Sequence, residues 1–299
     1  MNYKIRKGIT FDDVLLVPKK SAIKSRALVS LETQLTPKIK LKIPVISSNM
    51  DTVTEHKMAI SLAQLGGIGI IHRFLTIDEQ VNEIKLVKKH KLLVGGAIGI
   101  GDDYLDRTGH LLKAGADVIV LDIAHGHSTE LLRKLQKLTR TFPEAEFIAG
   151  NIATAQGAQD LIEAGAASLK VGVGPGAMCS TRVVAGAGVP QITAVMDVAS
   201  VAHKHNIPII SDGGIRTSGD IAKALAAGAS TVMLGTLLAA CSESPALLIK
   251  EGELEYKINR GMASLAANRD RAQRDKSFKK DLEACCRRRG GKGSFSRQG

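Results

Sequence analysis

The 299-residue sequence predicts an α/β fold, a single (β/α)8 barrel of the TIM type with eight parallel strands. Three observations predict it. KAGADVIVLD (113–122), EAGAASLKVG (163–172) and AAGASTVMLG (226–235) repeat one design: a helix end, a glycine suited to the left-handed cap, then a short apolar run with no wet face. Eight such runs alternate with helical stretches without an evident domain break. Polar residues and glycines collect at the C-terminal ends of the runs, the face on which a barrel carries its site.

In chain order the expected strands are PVISS (44–48), GGIGIIH (66–72), LVGGAIGI (93–100), VIVLDIA (118–124), EFIAGNI (146–152), SLKVGVG (168–174), PIISDGG (208–214) and TVMLGTL (231–237). Their β-branched, continuously apolar character suits parallel strands covered on both faces. Amphipathic stretches such as EHKMAISLAQL and IDEQVNEIKLVKKH separate the first seven from their successors. The barrel is expected over residues 1–268, including the start of a flap, with a basic tail over 269–299. The last covering helix is expected to be missing.

Composition narrows the class. The start, MNYKIRKGITFDDVLLVPKK, has no run long enough for a signal peptide, and no segment reaches the roughly 20 apolar residues that cross a bilayer. A cytoplasmic protein without a membrane partner is expected. Cys179, Cys241, Cys285 and Cys286 suit neither a disulfide framework nor a CxxC zinc site. Of the formal charge of +12, residues 269–299 supply +7, and aromatics make up only 3%. A nucleic-acid partner that relies on stacking is therefore not expected.

The chemistry concentrates in VGVGPGAMCSTR (171–182), continuing as VVAGAGVPQ. Gly174, Pro175 and Gly176 make a tight loop whose backbone can approach an ion closely, and Cys179 follows in a non-apolar setting. A thiol there is either a nucleophile or a small packing residue. Asp122 and Asp212, at the ends of two strands, either bind a ligand or cap the following helices. His125 and His127 in AHGHS lack a third metal ligand nearby.

GVGPGAMCSTRVVAGAGVPQ resembles the signature loop of the IMP dehydrogenase and GMP reductase family, and the resemblance runs from ITFDDVLLVP to INRGMASL. It implies that Cys179 attacks C2 of a purine nucleotide and that Thr181 lies beside the water of the hydrolytic step. It implies substrate contacts from Ser48 and Met50, a polar group near the base from Asn151, and a carboxylate on the ribose hydroxyls from Asp212. Gly214, Gly235 and Thr236 would bind the phosphate, with Gly261 and Met262 also at the substrate. Asp122 would orient the nicotinamide riboside. The implied cofactors are NAD and a potassium ion, the latter on the backbone carbonyls of Gly174, Gly176 and Cys179. The implied substrates are IMP and NAD, and the implied assembly is a homotetramer.

Within the family, GMASL favours the dehydrogenase, because reductases resemble GMSSE where Leu265 stands here. Asn49 in SSNMDTVTE is reductase-like, so NADPH-dependent deamination of GMP is the alternative. Other features depart from the family. The interval from His72 to Leu92 has room for one helix but not for the usual pair of regulatory CBS domains. Asn259 replaces a tyrosine before RGM, and NRDRAQRDKSFKK lacks the flap's Arg-Tyr pair, leaving Arg274 as a candidate. One codon choice for Cys285 to Gly299, read one base later, yields Ala-Val-Ala-Glu-Gly-Val-Glu-Lys-Val-Pro, which resembles the missing family segment. The tail is therefore expected to be a frameshift product. A third reading follows from it, a truncated barrel that binds purine nucleotide or RNA without turnover.

Overall fold

The computed structural model describes residues 6–179 and 181–274. Eight parallel strands close a barrel: β1 (Val45–Ser47), β2 (Ile68–Ile71), β3 (Val94–Ile98), β4 (Val118–Asp122), β5 (Phe147–Ile152), β6 (Ser168–Val171), β7 (Ile209–Asp212) and β8 (Thr231–Leu234). Each pairs with its sequence neighbours, and β8 closes on β1 through Val232 opposite Val45. All eight expected strands are present, and several end earlier than their apolar runs. β6 stops at Val171 because Gly172 turns the chain at φ +152°, and β8 stops at Leu234 because a short helix, Thr236–Ala239, follows Gly235.

Helices α1 (His56–Gln64), α2 (Ile77–Lys88), α3 (Tyr104–Lys113), α4 (Thr129–Thr141), α5 (Ala155–Glu163), α6 (Gln191–Ala202) and α7 (Ser218–Ala226) follow the first seven strands. Their starts are written locally. Thr76, Ser128, Thr154 and Thr217 each accept a backbone N–H of the first turn, an N-cap worth about 1 kcal/mol. Glu79 and Asp220 return the bond and complete capping boxes. Gly115, Gly165 and Gly228 take positive φ after α3, α5 and α7, as the repeated helix–glycine–strand design requires. A single helix, α2, occupies the interval between His72 and Leu92.

Alternation along the strands divides the core in two. Ile46, Ile68, Ile70, Val118, Val120, Ile148, Ile210 and Met233 fill the barrel interior, while Ile71, Ile119, Leu121 and Leu169 face the helices. A hairpin of Thr33–Gln34 and Lys40–Leu41 plugs the N-terminal end of the barrel with buried Leu35 and Leu41. The C-terminal face is left as the open one.

After the short helix the chain makes an exposed antiparallel hairpin, Leu248–Glu251 with Leu254–Lys257, then returns over the C-terminal face to helix Leu265–Arg274. The expected missing final helix, the frameshifted tail and the cysteines 285 and 286 lie outside the described residues. No helix among the described residues is long and apolar enough to cross a membrane.

Candidate active site

The strand ends converge on a buried charged cluster. Lys170, the one charged residue of β6, has a side chain only 3% exposed and reaches between two strands. Its Nζ lies 2.8 Å from Asp122 Oδ1 at the end of β4 and 2.6 Å from Asp212 Oδ2 at the end of β7. Asn49 Nδ2 donates to Asp122 Oδ2 at 2.8 Å, and Asn151 Nδ2 donates to Asp212 Oδ2 at 2.9 Å and to the Gly172 carbonyl at 2.7 Å. Neither aspartate caps a helix, since Ser128 and Thr217 do so for α4 and α7.

Electrostatics keep this cluster ionised. Burial pushes the Asp122 carboxyl up, but the Lys170 and Arg73 charges, with hydrogen bonds from Lys170 and Asn49, outweigh it and hold it below the ordinary aspartate value. Burial likewise works against the Lys170 ammonium, and the two carboxylates outweigh it, holding lysine above its ordinary value.

The glycine loop lies directly over this cluster. At Gly172 a β-carbon would stand 2.0 Å from the Asp212 carbonyl, so β6 and β7 leave the barrel in contact. One at Gly213 would stand 3.1 Å from the Gly176 nitrogen. Gln191, buried at the start of α6, donates to Val171 O, Ser211 Oγ and Asp212 O and ties both strand ends to the helix. Gly214 takes φ +80° beneath Pro175. Cys179, half-buried, closes a turn by donating its N–H to the Gly176 carbonyl at 3.0 Å, and Thr181 opens the short helix Thr181–Val184.

A second group gathers around β1 and β8. Ser48 donates its N–H to Leu234 O, and Met50 Sδ lies 3.5 Å from where a β-carbon of Gly235 would be. The returning chain crosses here. Asp51 N–H meets Met262 Sδ at 3.3 Å, Thr52 Oγ1 donates to Asn259 Oδ1 at 2.7 Å, and a β-carbon at Gly261 would collide with Met178 O at 2.2 Å. Asn259 also approaches Thr236 Oγ1 at 3.5 Å. Arg260 joins Asp51 at 2.5 Å and Asp270 of the following helix at 2.6 Å.

The structure thus brings Asp122, Asn151 and Asp212 into one network, and Ser48, Met50, Gly235, Gly261 and Met262 into another beside the cysteine loop. His127 is paired with Asp160 at 2.7 Å and His125 sits edge-on to it at 6.4 Å. Sequence reasoning missed Lys170, Gln191 and Arg73. A lone lysine in an otherwise apolar strand was the available signal for the first.

Fold and site together define a (β/α)8 barrel with a cysteine-bearing glycine loop set over a carboxylate–lysine–carboxylate network. Comparison with known proteins specifies it further. A family model described as the IMP dehydrogenase / GMP reductase domain matches residues 8–299, and the chain belongs to that oxidoreductase family. Inosine-5'-monophosphate dehydrogenase of Cryptosporidium parvum is 46% identical over 306 residues, 88% of this chain and 76% of that protein. The enzyme of the same name from Nitrosopumilus maritimus is 39% identical over 396 residues, 91% of this chain and 83% of its own length. GMP reductase of Leishmania donovani is 36% identical over 412 residues, 92% of this chain and 83% of that protein. All three alignments are longer than this chain, so each of those relatives carries segments absent here.

Proposed function

We propose that this protein is an NAD-dependent IMP dehydrogenase that converts IMP to XMP through a covalent adduct on Cys179. The observation that carries the reading is the seating of the Cys179 loop on the Asp212 strand end, which sets a nucleophile and a ribose-binding carboxylate on one rim. Leu265, where a reductase would carry glutamate, supports oxidation over deamination.

In this reading Asp212 accepts hydrogen bonds from the ribose hydroxyls. One oxygen is engaged by Lys170 and Asn151, and the other is available. Ser48, Met50, Asn151, Gly261 and Met262 frame the nucleotide, with Gly214, Gly235 and Thr236 on its phosphate. The Cys179 thiolate adds to C2 of the purine, whose hydride would leave to the acceptor that bound NAD supplies. Water, positioned beside Thr181, then attacks C2, the thiolate departs, and XMP and a proton are released. Splitting one difficult reaction in two lowers each barrier.

The residues fit the two groups that this chemistry requires. Each Asp122 oxygen takes one protein donor and keeps a lone pair for a riboside hydroxyl. NAD, when bound, supplies the hydride acceptor. The carbonyls of Gly174, Gly176 and Cys179 would supply the oxygens for potassium, and Gly176 O retains a lone pair beyond its bond to Cys179 N–H. Exposed Leu15, Val17, Val183 and Val184 suit burial in a homotetramer. The absence of a spanning helix among the described residues suits a cytoplasmic enzyme.

The test is NADH absorbance with IMP, NAD and potassium, beside NADPH consumption with GMP. Sustained NADH supports the proposal. NADPH loss with GMP alone would transfer it to the reductase, the second reading, which Asn49 favours by occupying Asp122 as its family motif resembles the reductase's.

A further inference from the structure

The geometry points to Arg73 as the residue that receives the pyrophosphate of the dinucleotide, an inference resting on the dinucleotide being a substrate of this face. Arg73 follows β2 and His72 on the rim, and its guanidinium lies across the end of β3. A β-carbon at Gly99 would stand 3.2 Å from its Nη1 and 3.4 Å from its Cζ, so the glycine clears the space that the guanidinium occupies. Phe74 supports it from one side, with the ring centroid 5.4 Å from Cζ.

This cation is poorly served by the protein. Its Nε is buried without a hydrogen-bond partner. Burial lowers its pKa, Arg107 adds repulsion, and Asp122 and Asp103 oppose them as charges. Asp122, the larger of the two attractions, is already engaged through Oδ1 with Lys170 and through Oδ2 with Asn49. A half-buried guanidinium with open donors is costly unless a ligand completes it, and its planar fork matches phosphate oxygens bidentately.

Its place on the barrel selects the phosphate. The substrate phosphate belongs, on the reading above, to the β7 and β8 ends at Gly214, Gly235 and Thr236. Arg73 stands on the β2–β3 sector facing Asp122 on β4, which takes the nicotinamide riboside. The anionic group covalently joined to that riboside is the pyrophosphate, so Arg73 binds cofactor and not substrate.

Arg73→Gln and Arg73→Lys in the full chain test this. Binding would be measured by competition with ADP-ribose, which carries the pyrophosphate, and with nicotinamide riboside, which does not; KM would be measured for NAD and IMP. Arg73→Gln should weaken ADP-ribose and raise KM for NAD by about 10- to 100-fold, the equivalent of a charge-assisted hydrogen bond. Nicotinamide riboside affinity and KM for IMP should hold within about twofold, and lysine should restore part of the loss. Unchanged ADP-ribose binding, or an equal loss for both probes, would overturn the assignment. The competition needs no turnover, so a parent protein that forms no NADH from IMP would sink the proposed function and leave this test standing.

Discussion

Lys170→Met removes the one cation between Asp122 and Asp212 while nearly conserving volume. The structure sets the size of the effect. Two contacts of 2.8 and 2.6 Å are lost from a side chain 3% exposed, so little water replaces them. Breaking a buried ion pair from one side costs about 3–5 kcal/mol, whereas the aliphatic exchange itself costs less than about 1.5 kcal/mol. In a domain of this size each kcal/mol lowers Tm by roughly 2–4 °C, so the variant should melt about 6–20 °C lower at pH 7.5. The loss should also shrink on acidification. Without lysine the buried Asp122 carboxyl loses the larger of the charges that offset its desolvation, so its folded-state pKa rises, and an acid whose folded pKa is raised gains stability as pH falls through it. Thermal unfolding followed by far-UV circular dichroism at pH 7.5 and 5.5 measures both effects. A Tm within about 2 °C of the parent, with no recovery at the lower pH, would refute the argument that this lysine holds the two strand ends together.

Two further predictions follow from the same face. Gly172→Ala places a β-carbon 2.0 Å from the Asp212 carbonyl at a φ of +152°, so β7 must shift; kcat/KM should fall more than about tenfold, measured against far-UV circular dichroism to show that the barrel persists. Asp122, held below its ordinary value, contributes stability present above the unfolded pKa near 3.9 and lost as pH falls through the folded value. Lys170, held above its ordinary value, contributes stability present below about 10.4 and lost as pH rises through its folded value. A pH–urea-midpoint profile of the parent should therefore lose the Asp122 contribution at the acid end, and Lys170→Met should lack the alkaline arm due to lysine.

Much of the barrel was legible because its rules are local. The helix–glycine–strand repeats fix where strands begin, and Gly115, Gly165 and Gly228 take the positive φ that this reading demands. Asp122 and Asp212 were legible as strand-end carboxylates, with their ligand roles coming from the resemblance. Their common partner was not, because Lys170 belongs to a strand read as uniformly apolar and finds the two acids on strands 48 and 42 residues away. Which strand ends face each other depends on barrel closure and register, which periodicity does not encode. Arg73 was hidden for the same reason, since its relation to Gly99 and Asp122 exists only once β2, β3 and β4 lie side by side. The hairpin at residues 33–41 was missed because two-residue strands leave no pattern.

The central claim is covalent catalysis by Cys179, and the most direct measurement is intact and peptide mass spectrometry after acid quench of a single turnover with IMP and NAD. The account predicts a nucleotide adduct on the peptide bearing Cys179, formed together with NADH and absent from Cys179→Ala. NADH formed by Cys179→Ala at the parent rate would contradict it.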